Sequence, residues 1–145
     1  MTRFLLAFLA YVVPTFMLGF VWHLILFKPY YDALAIYRGD IIIPLGLLSM
    51  LIQAAIFTWL YERAFAPHRG SFLAQALTYA AVGAALSWSF TTLAVAAKNV
   101  MASVPGYLLI ETAFTIAQWL MVAPLTVLAF RQPLQRTAAR NAATG

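Results

Sequence analysis

Residues 106–130 read GYLLIETAFTIAQWLMVAPLTVLAF, twenty-five positions with one formal charge, Glu111. At 1.5 Å of rise per residue, a helix of that length reaches about 37 Å, more than the roughly 30 Å of a bilayer's hydrocarbon core. Three more stretches have the same character: Phe4 to Phe27, Ile41 to Tyr61 and Phe72 to Ala97, none with a formal charge inside it. Backbone polar groups in lipid must be satisfied within the segment, so such stretches are helices unless they close a barrel. Barrel strands would be half as long and would alternate, which these do not. The expected fold is an all-α membrane protein, a four-transmembrane-helix bundle with a short interfacial helix in its first outer loop. Residues 1–131 form its one domain and 132–145 a mobile cytoplasmic tail.

Composition agrees. Charged residues make up 9% of the 145 positions and hydrophobic ones 64%, against about 25% charged in soluble domains. The net charge of +5 comes from basic residues scattered between and after the spans. They form no patch for nucleic acid, and membrane orientation explains them better. The absence of cysteine excludes disulfides, thiolate metal sites and cysteine catalysis. The first apolar run, 24 residues ending in Phe-Lys-Pro-Tyr-Tyr, exceeds the about 7–15 of a signal-peptide core and lacks a small-residue cleavage site. It is expected to remain as a span.

With four spans, the amino terminus, the 62–71 loop and the tail share one side. That side carries Arg3, Arg63, Arg69, Arg131, Arg136 and Arg140, and the other Lys28, Arg38 and Lys98. The imbalance places both termini in the cytoplasm. Pro14 and Pro124 sit inside the first and fourth helices, where they should bend them. Pro44 and Pro105 suit first turns, and Ser71 suits an N-cap. In the loop, Tyr30, Tyr31, Leu34 and Tyr37 would form one face of a short surface helix closed by Gly39 at C′. Those tyrosines are candidates for an interfacial lid or belt anchor. Trp59 and Tyr61 read as belt residues, and Trp22, Trp88 and Trp119 as packing.

Polar residues inside the spans fall on single faces. They are Thr15, Gly19 and His23; Gly46, Ser49 and Gln53; Gly83, Ser87 and Thr91; and Glu111, Thr115 and Gln118. With both termini inside, Thr15, Gln53, Gly83 and Gln118 lie near the midplane, and His23, Gly46, Thr91 and Glu111 in the outer leaflet. Close helix packing through Gly19 and Gly83 would account for the stripes. So would a cavity opening outward. Ligand or ion-path candidates are His23, Glu111, Gln53, Gln118, Ser87, Thr91 and Thr115. His23 and Glu111 match in depth and could form a couple. Alternatively, Glu111 could pair with Lys98 near its helix N-terminus. Two ligands fall short of a zinc site, and His68 lies in the opposite loop. No metal, cofactor or catalytic residue is expected.

Gly19-Phe20-Val21-Trp22, the Lys28-Pro29-Tyr30-Tyr31 exit and four short-looped spans resemble a group of small bacterial four-helix inner-membrane proteins of uncharacterised function. The resemblance implies a bacterial inner membrane and transfers no catalytic residue. Small four-helix multidrug transporters are similar in size but carry a glutamate in the first helix, which this chain lacks. The expected function is non-enzymatic: an accessory subunit, or a binder of a lipid or small molecule in an outward-open cavity. Its partners would be the bilayer and a membrane protein or second copy. Alternatives are a transporter or channel using Glu111 and His23, or a membrane-embedded enzyme with the pair as acid and base.

Overall fold

The structure, a computed structural model, describes residues 1–67 and 70–131. The expected tail, with Arg136 and Arg140, and the loop residues His68 and Arg69 lie outside them. The described residues are helical and contain no strand. Four helices are long and apolar enough to cross a membrane: α1 (Thr2–Leu26), α3 (Ile43–Phe65), α4 (Phe72–Lys98) and α5 (Val104–Arg131). A short helix, α2 (Lys28–Leu34), lies between the first two.

Local chemistry sets the ends. Ser71 caps α4, its hydroxyl accepting from Ala74 N at 3.2 Å, which satisfies one of the first-turn N–H groups. Pro44 stands in the first turn of α3, where its missing N–H has no helical acceptor to lose. α3 runs past the apolar stretch, through Glu62 and Arg63, by a π-helical turn over Tyr61–Phe65. α1 and α4 contain similar turns at Trp22–Leu26 and Trp88–Leu93. A π turn adds a residue to the ring of backbone hydrogen bonds and re-aims the side chains it carries. Here two of the three carry residues facing the cavity described below, His23 and Thr91.

Three expectations fail in the loop and core. α2 ends at Ala35, which adopts the left-handed conformation (φ 56°, ψ 32°) and sends its N–H to Asp32 O at 3.1 Å. Gly39 has no positive φ, so the C′ role falls to an alanine and Tyr37 lies beyond the helix. Of the expected surface face, Tyr31 and Leu34 are buried against Tyr107 of α5, while Tyr30 and Tyr37 are 41% and 38% exposed. Tyr61 is also no belt residue. It is 1% exposed, whereas its neighbour Trp59 is 55% exposed.

α5 is the central element, packed along α1 and α4, while α3 leans on α1. α3 meets α4 at the end of the bundle where α1 begins and α5 ends. There Tyr11, Phe57, Tyr61, Tyr79 and Trp119 form a continuous aromatic cluster. Phe57 and Tyr79 meet the Trp119 indole edge-on at 4.8 and 5.4 Å between ring centres, a favoured arrangement of ring quadrupoles. The Tyr79 hydroxyl donates to Phe57 O at 3.0 Å and ties α4 to α3. Gly83 makes room for this cluster, since a Cβ there would overlap the Trp119 ring. Gly19 does not play the same part. A Cβ at that position would meet Met50 Cε at 3.5 Å, ordinary contact, so the two glycines expected as close packers differ.

Towards the other end, α3 parts from α4 and α5. Its first residues, Ile43 to Ser49, are exposed, and a Cβ on Gly46 would meet nothing within 4 Å. That separation opens the interior.

Candidate functional site

The opening is a cavity of about 640 Å³ bounded by α1, α3, α4, α5 and the loop before α3. His23, Gln53, Ser87, Thr91, Glu111, Thr115 and Gln118 all line it. Tyr37 borders it too. Tyr31 faces a smaller adjoining cavity. Tyr30 stands apart, its hydroxyl against the backbone of Gly106.

A polar network forms the floor. Tyr11 donates from its hydroxyl to Gln53 Oε1 at 3.0 Å, and Gln118 Nε2 donates to that hydroxyl at 3.3 Å and to Thr15 Oγ1 at 3.5 Å. Gln53 Nε2 continues the chain to Ser49 Oγ at 3.0 Å. Three helices are joined through one phenol, above the aromatic cluster. Tyr11 was not among the sequence candidates, yet the signal existed: it stands four residues before Thr15 and extends the Thr15, Gly19, His23 stripe by one turn. On the α4 wall, Trp119 Nε1 donates to Ser87 Oγ at 3.0 Å, which donates to Gly83 O at 2.8 Å. Thr91 donates to Ser87 O at 2.7 Å. Nearly all these groups are engaged with one another, which leaves a mostly apolar wall with Phe16, Phe20, Leu47, Met50 and Phe114 facing the space.

At the far end stands the couple of His23 and Glu111, 3.3 Å apart, with side chains 18% and 12% exposed. Glu111 Oε1 also accepts from the Tyr31 hydroxyl at 2.6 Å. Its partners are thus His23 and Tyr31, not Lys98. The imidazole is fixed on its other side, where Nδ1 lies 2.9 Å from Gly19 O. A carbonyl can only accept, so Nδ1 carries a proton. Nε2 faces Glu111 Oε1 across 3.3 Å, a distance at which one proton between the two atoms makes a hydrogen bond. Aromatic rings hold it in place. Phe114 meets the imidazole edge-on at 4.5 Å between ring centres, Tyr31 lies at 4.8 Å, and Tyr37 stacks on Tyr31 at 5.1 Å.

Burial raises the phenol pKa of Tyr31, and its hydrogen bond to Glu111 raises it further. Burial also raises that of Tyr37, followed by the charge of Glu111. Both phenols therefore stay protonated at the pH of any cell compartment, and Tyr31 remains a donor to Glu111. Ile36, Arg38 and the run Ile41 to Ile43 border the cavity mouth. Sequence reading used Arg38 for orientation only, since nothing in its neighbours places it over an interior space.

Among the described residues, fold and site define an all-helical structure with four membrane-length helices and a partly open, largely apolar cavity that has the His23 and Glu111 couple at one end. No protein-family model, curated protein or solved structure matches the chain.

Proposed function

We propose that this chain is a multi-pass membrane protein that holds a small amphiphilic molecule between its helices, without chemistry on it. The observation that carries the reading is the convergence of polar stripes from four helices on one cavity of about 640 Å³. That volume lies in the range of ligand pockets, about 300–1,000 Å³, which combine apolar walls with a few placed polar groups. The gap between α3 and α4 would admit a molecule sideways from the bilayer. The aromatic cluster closes the terminal end, which favours a holder over a continuous channel. Both ring nitrogens of His23 are occupied, by Gly19 O and Glu111, which leaves neither to activate a hydroxyl or water. Arginines on the terminal side support cytoplasmic termini in a bacterial inner membrane, the cavity facing the outer leaflet.

The test is native mass spectrometry of the protein from mild detergent, comparing the natural chain with Gly46→Phe. A Cβ at Gly46 meets nothing, so the ring can enter the cavity without disturbing a helix contact. A co-purifying molecule lost in the variant is the expected result. An empty natural protein, or equal retention in both, refutes the reading. A proton-coupled transporter is the second reading, favoured by the contact of His23 with Glu111 at 3.3 Å in the cavity wall. It predicts flux in liposomes that Glu111→Gln abolishes.

A further inference from the structure

The interior space does not end at the loop. A second cavity of about 310 Å³ adjoins the first, and the two share Leu24, Tyr37, Arg38 and Ile41. Its chemistry is different. Lys28 and Asp32 of α2 stand in its wall with Arg38, two cations to one carboxylate. Lys28 lies two residues beyond the end of α1 and Arg38 five residues before α3 begins. Both cations therefore stand at the level where the long helices stop, which in a bilayer is the depth of the headgroups. A small charged chamber at headgroup depth shares a wall with a large apolar one among the helices.

We propose that the two cavities together hold one glycerophospholipid, with its phosphate between Lys28 and Arg38 and an acyl chain in the larger space. This rests on the amphiphile-binding reading and adds the headgroup. The cations are available at little cost. Lys28 pairs with Asp32 at 2.6 Å and Arg38 with Asp40 at 3.1 Å, but each of the four side chains is more than half exposed. Exposed pairs of this kind contribute little to stability. A phosphate offers the guanidinium the same two-pronged geometry as the carboxylate it would replace, with more charge. Asp32 then remains in the wall to face an ammonium or hydroxyl of the headgroup. The lipid, rather than a free phosphate ester, is indicated by the larger cavity. Most of its polar groups are hydrogen-bonded to one another and its remaining surface suits hydrocarbon, which a soluble ester would leave uncovered.

The experiment titrates three probes against the purified protein by native mass spectrometry: phosphatidylglycerol, diacylglycerol with the same chains, and glycerol 3-phosphate. Phosphatidylglycerol should bind, diacylglycerol at least about tenfold more weakly for want of the charge-assisted hydrogen bonds, and glycerol 3-phosphate not measurably. Lys28→Gln with Arg38→Gln should bring the two lipids level, and Gly46→Phe should weaken both. Equal binding of the two lipids to the natural protein, or no change in the double variant, overturns the phosphate site while leaving the amphiphile reading intact. Binding of glycerol 3-phosphate as tight as that of the lipid also overturns it, in favour of a soluble ligand. Failure of both lipids to bind also overturns the phosphate site, and a natural protein that in addition co-purifies with no small molecule sinks the amphiphile reading too.

Discussion

Gly83→Ala places one methyl group where the six-membered ring of Trp119 now lies. Trp119 is 1% exposed and sits between Tyr11, Phe57 and Tyr79, so the ring has no free space to enter. Overpacking of this kind costs about 1–3 kcal/mol. A displaced indole also loses its hydrogen bond to Ser87 Oγ, about 1 kcal/mol more, for a total of about 2–4 kcal/mol. The assay is the thermal unfolding midpoint in detergent, with Val82→Leu as control, since Val82 is 38% exposed and should tolerate the change. The decisive form is a cycle with Trp119→Phe, whose shorter ring vacates the space. In that background Gly83→Ala should cost at least about 1 kcal/mol less than in the natural chain. Additive losses would refute the close contact, and so would a destabilisation by Val82→Leu as large as that by Gly83→Ala.

Tyr31→Phe removes the donor at 2.6 Å from Glu111 and should weaken α2 docking by about 1.5–3 kcal/mol, read as faster amide exchange over residues 28–35; unchanged exchange would show that apolar packing alone holds the helix. Tyr31 and Tyr37 both have pKa values raised by folding, so the stability they contribute is present below the unfolded phenol value of about 10 and is lost as pH rises beyond it. Thermal midpoints should fall above about pH 10, less steeply in Tyr31→Phe. Ala35→Gly relieves an alanine held at φ 56° and should stabilise by roughly 1 kcal/mol; a loss would mean that the methyl group has a packing role. Ala35→Gly and Gly39→Ala should differ in sign or size, because only the first position has a positive φ. If the termini are cytoplasmic, a cysteine at Ala102 should react with an impermeant thiol reagent in intact cells and one at Ala66 only after lysis. Equal labelling would indicate mixed topology.

The four long helices were legible in the sequence because length and apolar composition are local properties, and a segment without charge that must satisfy its own backbone has few alternatives. Their ends were less so: Glu62 and Arg63 end the apolar run but not α3, because a helix end at the bundle's edge tolerates charge. The stripes on each helix followed from spacing alone, and all seven polar candidates line one cavity. Whether stripes of small and polar residues mean packing or space could not be read from spacing. Gly83 meets an indole and Gly46 meets nothing, and that difference depends on α3 leaning away from α4, which no periodicity encodes. The partner of Glu111 was likewise a tertiary matter. His23 and Lys98 were both within reach by sequence, but the π turn at Trp22–Leu26 carries His23 inward and α2 folds back to bring Tyr31 to the same oxygen. Ala35 shows the same division: sequence points to Gly39 as the helix stop, but docking of Tyr31 and Leu34 on Tyr107 ends the helix four residues earlier and imposes the left-handed turn on an alanine.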